Sequence, residues 1–259
     1  MSAADAAALA ALPHWAFGFV LALARVSAAV MLLPGLGEAE LPAMVRAGIA
    51  VAITILLLPA LAPLMPPTPA DPLHLAAMVC ADIATGLWLG WLARLTVQAL
   101  AMGGQFIAYM LGLSNVLQPD PILGSQATPI SSLLGIAAPL TVLVSGLYAL
   151  PLMALAGSYG LIPAGSMLPA ADSTEVAVRA VGAAFGIAVR LASPFILVGI
   201  LWHVATGLLA RLVPRLQVYF IVMPAQLLGG MLLLAVLMTA LLSAWEESTR
   251  SGFASLPGS

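Results

Sequence analysis

Gly103-Gly104-Gln105-Phe106-Ile107-Ala108-Tyr109-Met110-Leu111-Gly112-Leu113-Ser114-Asn115-Val116-Leu117-Gln118-Pro119-Asp120-Pro121 is the stretch on which the reading of this chain turns. It is largely apolar from Phe106 to Leu117, yet as a helix those residues rise only about 18 Å, against a hydrocarbon core of roughly 30 Å. Such a run cannot cross a membrane. Gly103-Gly104 before it and Pro119-Asp120-Pro121 after it are helix-breaking punctuation. The stretch therefore reads as a re-entrant or plug-like loop over residues 103–122, with Gly103, Gly104, Pro119 and Pro121 as hinges. Backbone that is not helical is tolerated at membrane depth only where protein buries it or where it lines a cavity. That points towards a pore or gate; a short core helix with a capping loop fits the spacing equally well.

The composition around this stretch sets the class. Hydrophobic residues make up 63% of the 259 and charged residues 7%, lysine is absent, and the mean hydropathy is +1.13. Soluble domains carry roughly 25% charged residues, so this is a membrane protein. The net charge of -2 is scattered and offers no basic patch for nucleic acid. The one cysteine, Cys80, excludes an internal disulfide. The N-terminus lacks the basic region of a secretory signal, so the first apolar run is read as part of the mature protein.

Working outward, the hydropathy pattern predicts an all-α, polytopic fold of helical hairpins in one domain, residues 1–259, with helices broken by proline and glycine. The first apolar segment, about His14 to Leu33, ends at Pro34-Gly35-Leu36-Gly37. The second, about Met44 to Leu61, completes an antiparallel hairpin and is followed by the proline-rich connector Pro59 to Pro72. The third, about Leu75 to Met102, carries Gly86 and Gly90 at a small-xxx-small spacing that lets another backbone approach. The fourth runs from about Pro129 to Gly157 and is interrupted by Pro139 and Pro151, and Ser158 to Ser173 reads as a loop. The fifth, about Thr174 to Leu212, is nearly twice the length a bilayer needs and is expected to kink or break at Pro194. The sixth, about Val218 to Ala244, precedes a polar tail expected to be loose. Placing the Arg211–Arg215 connector in the cytoplasm puts the N-terminus outside.

Charges inside apolar segments are costly and face protein or water. Here they are Arg25, Asp82, Arg94 and Arg190, expected to be buried, together with His203. Either they pair within a bundle or their helices pack against other subunits; snorkelling from mis-drawn ends also accounts for Arg94 and Arg190. His14, His74 and His203 lie in separate segments without metal-ligand spacing, and no lysine is present for a phosphate-binding loop. Ser145 with His203 lacks the context of an intramembrane hydrolase. Asp82 and His203 are the residue types of a proton relay, so a proton-coupled secondary transporter stands as the alternative. No cofactor is implied.

Beyond these readings the chain resembles the FliR/SctT family of type III secretion export-apparatus subunits over essentially its whole length. The resemblance rests on Arg25, Leu33-Pro34-Gly35-Leu36-Gly37, Leu41 to Arg46, Asp82-Ile83-Ala84-Thr85-Gly86 with Gly90, and Gly103 through Asp120-Pro121. It continues in Ser158 to Gly165 and in Gly207 to Phe220 leading into Met223-Pro224. Asp82 stands where the family often has Glu, and Arg215 where a glutamine commonly follows the proline.

The resemblance implies a structural gate subunit and no enzyme, similar to a FliP-FliQ fusion. One copy would complete a hetero-oligomeric ring with FliP and FliQ in the bacterial inner membrane, within the flagellar basal body. The resemblance further implies FlhB at the cytoplasmic mouth, unfolded export substrates passing through, and hairpins lying largely above the membrane plane. The opening stretch would be the plug, with Phe106, Ile107, Tyr109, Met110, Leu111, Gly112 and Leu113 at the gate. Its apolar side chains would form a dry constriction that closes by dewetting.

Overall fold

Away from water, apolar backbone satisfies its own N–H and C=O groups most simply as helix. The computed structural model describes residues 3–112, 128–212 and 218–259, and each regular element among them is helical. In chain order these are α1 (Ala3–Val30), α2 (Ala43–Leu61) with a 3-10 turn at Ala62–Leu64, α3 (Pro72–Met110), α4 (Pro129–Val144), α5 (Ala149–Leu161), α6 (Ala170–Leu212) and α7 (Val218–Phe253). Among the described residues, α1, α2, α3, α6 and α7 contain stretches long and apolar enough to cross a membrane, and α4 with α5 makes a sixth candidate bent by 72°.

Several boundaries differ from the sequence expectation; the fourth segment, for example, breaks between Val144 and Ala149, while Pro139 and Pro151 lie inside α4 and α5. The helix expected to stop at Met102 continues through Gly103-Gly104 to Met110. The glycine pair does not break it, because each glycine is a packing surface. A Cβ on Gly103 would lie 3.3 Å from the Ala188 carbonyl oxygen of α6, and one on Gly104 would lie 3.0 Å from Ser131 Cα of α4. Pro194 does not break α6: the Arg190 carbonyl, which the proline ring deprives of its helical N–H, accepts a 2.7 Å hydrogen bond from Ser193 Oγ. α7 runs past Ala244 to Phe253, and the tail expected to be loose is seated, with Phe253 and Leu256 buried. α6 begins at Ala170, which shortens the preceding loop.

The helices group into two compact units. The first comprises Met1–Thr96, Val142–Ala180 and Arg250–Ser259; the second comprises Val97–Thr141 and Val181–Thr249. In the first, Phe17, Leu21 and Ala22 of α1 share a core with Leu61, Met78, Tyr159 and Ala164. The Gly86/Gly90 face of α3 receives the α1 backbone: a Cβ on Gly90 would lie 2.7 Å from the Ala29 carbonyl oxygen, and one on Gly86 would overlap the Arg25 carbonyl. In the second, Ile107, Leu134, Ala188, Ala192 and Phe195 are buried. Phe106 and Phe185 meet edge to face there, with centroids 5.8 Å apart.

Candidate functional site

The end of α3 lies in the second unit and carries the residues singled out for the gate. Leu111 N–H donates to the Ile107 carbonyl at 3.0 Å and Gly112 N–H to that of Tyr109 at 3.2 Å. Gly112 then takes φ 73°, a left-handed conformation that costs glycine nothing and stops the helix. The Met110 carbonyl accepts from Gln226 Nε2 of α7 at 3.0 Å. At the start of α4, Thr128 Oγ1 accepts the Ser131 N–H at 3.3 Å as an N-cap, with Pro129 at the first helical position. Gln105 Oε1 in turn accepts the Thr128 N–H at 3.3 Å and its hydroxyl at 3.1 Å. Both flanks of residues 113–127 are therefore tied to helices, one through Gln226 and the other through Gln105.

Beside this end an apolar cavity of about 380 Å³ is lined by Met110, Leu111, Phe195, Trp202, Gln226 and Gly230, among others. Gly199 and Gly230 make the room: a Cβ on Gly199 would lie 3.1 Å from Met110 Sδ, and one on Gly230 would overlap Leu111. The candidate gate side chains do not share one face. Ile107 and Leu111 are buried within the unit, Phe106 and Met110 are half-buried, and Tyr109 is 55% exposed. A continuing helix turns each successive side chain by about 100°, which sets Tyr109 on the side away from Ile107 and Leu111. Leu113, Pro119 and Pro121 lie outside the described residues.

In the first unit, Arg25 and Asp82 are buried together. Arg25 Nε donates to Asp82 Oδ1 at 2.8 Å, and Nη2 lies 2.6 Å from the same oxygen. Nη1 donates to the Ile162 carbonyl at 2.9 Å and to Ser158 Oγ at 3.3 Å, and Nη2 donates to the Pro163 carbonyl at 3.3 Å. These contacts use every N–H of the guanidinium. Asp82 Oδ2 accepts the Gly165 N–H at 3.0 Å, and the guanidinium carbon lies 4.0 Å from the centroid of the Tyr159 ring. The knot fastens the loop between α5 and α6 to α1 and α3. Each carboxylate oxygen of Asp82 is engaged, which is unlike a proton carrier.

The remaining intramembrane charges are less hidden than expected. Arg94 is part-exposed at 29% and pairs with Glu38 at 3.1 Å, where its long stem lets the head reach the loop after α1. Arg190 is exposed, not buried. His203 is exposed and donates its Nδ1–H to the Gly199 carbonyl of its own helix at 2.6 Å. Sequence reasoning did not assign roles to Gln226, Gln105 or Thr128. Gln226 was the most detectable, as an isolated amide in a long uncharged run.

The family model described as bacterial export proteins, family 1, matches residues 16–252. The chain is 29% identical to a flagellar biosynthetic protein FliR of Caulobacter vibrioides, covering 89% of this chain and 92% of that protein. It is 27% identical to the FliR of Escherichia coli, covering 83% and 82%. Against the Yop proteins translocation protein T of Yersinia pestis it is 28% identical, covering 84% of each chain.

Proposed function

This chain belongs to the bacterial export proteins, family 1, and from that membership we propose that it is a structural subunit of the flagellar export gate. It is an integral membrane protein of a type III secretion export apparatus, and not an enzyme. In the proposed assembly one copy joins FliP and FliQ around the protein-export channel of the inner membrane, with FlhB at the cytoplasmic mouth. The segment after Met110 is its plug, which unfolded substrates displace.

The observation that carries the gate reading is the double anchorage of residues 113–127, by Gln226 at one flank and Gln105 at the other. Two fixed ends, the first of them beside an apolar cavity, suit a segment that must return to one place after each passage. Tyr109, the exposed one among the described gate residues, is the one disposed to meet substrate; Ile107 and Leu111 hold the stalk. The transporter reading loses its support, because both oxygens of Asp82 are engaged and His203 Nδ1 is bonded to its own helix.

Two measurements test this. Native mass spectrometry of the full chain, co-expressed with the membrane proteins of its own genome, is expected to recover one copy within a larger hetero-oligomer; recovery only as a monomer or homodimer would overturn the reading. Deleting residues 113–117 while keeping the Gln226 contact is expected to raise ion leakage through the assembled complex. Unchanged leakage in an assembled complex would remove the plug role and leave the subunit role standing.

A further inference from the structure

Residues Arg250–Ser259 belong to the first unit, although α7 up to Thr249 belongs to the second. They form a built turn. Ala254 N–H donates to the Arg250 carbonyl at 3.0 Å, Leu256 N–H to that of Phe253 at 3.2 Å and Ser259 N–H to that of Leu256 at 3.1 Å. Ser259 Oγ closes the turn on the Ala254 carbonyl at 2.8 Å, and Phe253 and Leu256 are buried beneath it.

The two ends of this segment rest on different helices. At its base, a Cβ on Gly252 would lie 2.7 Å from Thr96 Cγ2 of α3. At its tip the fit is backbone against backbone. A Cβ on Gly157 of α5 would overlap the Gly258 carbonyl, and one on Gly258 would overlap the Ala154 carbonyl and lie 2.6 Å from Ser158 N. Gly258 also takes φ 95°, a conformation open to glycine. Glycine on both sides lets the two main chains meet. Gly160, further along α5, has nothing within 4 Å of an added Cβ, so the contact is confined to the turn Ala154–Ser158.

That turn also serves Arg25. Ser158 Oγ accepts from Arg25 Nη1 at 3.3 Å and donates to the Leu155 carbonyl at 2.6 Å. The adjacent Tyr159 presents its ring to the guanidinium. α5 ends at Leu161, and the next two carbonyls, those of Ile162 and Pro163, accept from the same guanidinium. α5 has only 13 residues and is bent by 72° from α4, so α4 does not hold it in line. Its seat is set by what packs on it.

We propose that Arg250–Ser259 is a strap that clamps α5 to α3 and so seats Ser158, Tyr159 and the Ile162 and Pro163 carbonyls on Arg25. Gly157 and Gly258 are its positioning residues. The strap follows α6 and α7 in the chain, so the Arg25–Asp82 network closes only after the chain through α7 has been made. The inference does not depend on the gate reading.

The test uses the full chain in detergent micelles, with Cys80→Ala and a single cysteine introduced by Leu256→Cys, a position 8% exposed. Maleimide labelling should be slow, and Gly157→Ala should speed it several-fold. Gly160→Ala gains the same helix propensity in the same helix and should leave the rate unchanged. Gly258→Ala, made on the strap's own side, should act as Gly157→Ala does without altering α5. Labelling rates that are the same in all three alanine variants would overturn the strap. If Leu256→Cys alone frees the segment, deuterium uptake by residues 250–259 in the chain without that cysteine reads the same contrast. The link to Arg25 is read as deuterium uptake at Ile162–Gly165, expected to rise in Gly157→Ala and Gly258→Ala and not in Gly160→Ala. A freed strap beside an Ile162–Gly165 segment as protected as before would remove the strap's role in seating the network.

Discussion

The Arg25–Asp82 knot in the first unit and the end of α3 in the second hold their chain segments by opposite means. In the knot two charges are fully buried, and the guanidinium N–H groups and both carboxylate oxygens have partners drawn from α1, α3, α5 and the loop beyond it. At the end of α3 one amide, that of Gln226, holds the Met110 carbonyl beside an apolar cavity of about 380 Å³. A buried network that is completely satisfied allows one arrangement, since every alternative strands a charge. One neutral hydrogen bond, worth about 1 kcal/mol, allows rearrangement at small cost. The contrast separates a part built to stay from a part able to move.

The largest effect should come from dividing the knot. Asp82→Ala leaves Arg25 buried without its counter-charge and is expected to destabilise the first unit by about 3–5 kcal/mol. The measurement is the thermal midpoint of the purified protein, or its steady-state level in membranes. Arg25→Met with Asp82→Leu removes both charges together and should recover most of the loss. If the double variant is as unstable as the single one, the ties to Ile162, Pro163 and Gly165 matter more than the charge pair.

Next in size is the helix contact that positions Arg25. Gly86→Ala puts a methyl group into the Arg25 carbonyl, and because backbone cannot yield as a side-chain tip does, about 1–3 kcal/mol is expected. Gly182→Ala, at a glycine with nothing within 4 Å of the added Cβ, is the matched control and should be neutral or slightly stabilising. Equal changes at the two positions would mean that the close approach of α1 does not set the cost at Gly86.

What the sequence reveals follows the range of each interaction. The apolar runs set the helices, and the Gly86/Gly90 spacing foretold a close helix contact, because both are properties of neighbours along one helix. The pairing of Arg25 with Asp82 was open, since both residues were visible as costly charges but their partnership is made across 57 positions. Gly103-Gly104 misled for a related reason. Glycine weakens a helix locally, and that local cost is outweighed by the close packing of α4 and α6 against the same two residues. Ile107 was assigned to the gate by the family resemblance and its apolar chemistry; its burial follows from α3 continuing as helix, which the glycine pair had argued against.

The smallest stability change should carry the largest functional one. Gln226→Leu removes the amide on the Met110 carbonyl and leaves that carbonyl beside the apolar cavity, with an expected loss of about 1 kcal/mol. The thermal midpoint should hardly move beside that of Asp82→Ala. If the end of α3 is the anchor of a plug, however, 1 kcal/mol is about a fivefold change in the balance between seated and displaced positions, and ion leakage through the assembled complex should rise accordingly. Asp82→Ala should behave in the opposite sense, lowering the amount of assembled complex without raising leakage per complex. The two variants assayed side by side, each normalised to assembled complex, therefore separate holding the fold from holding the gate. Equal leakage per complex from both would mean that the two regions are one mechanical element and that their different chemistry has no functional counterpart.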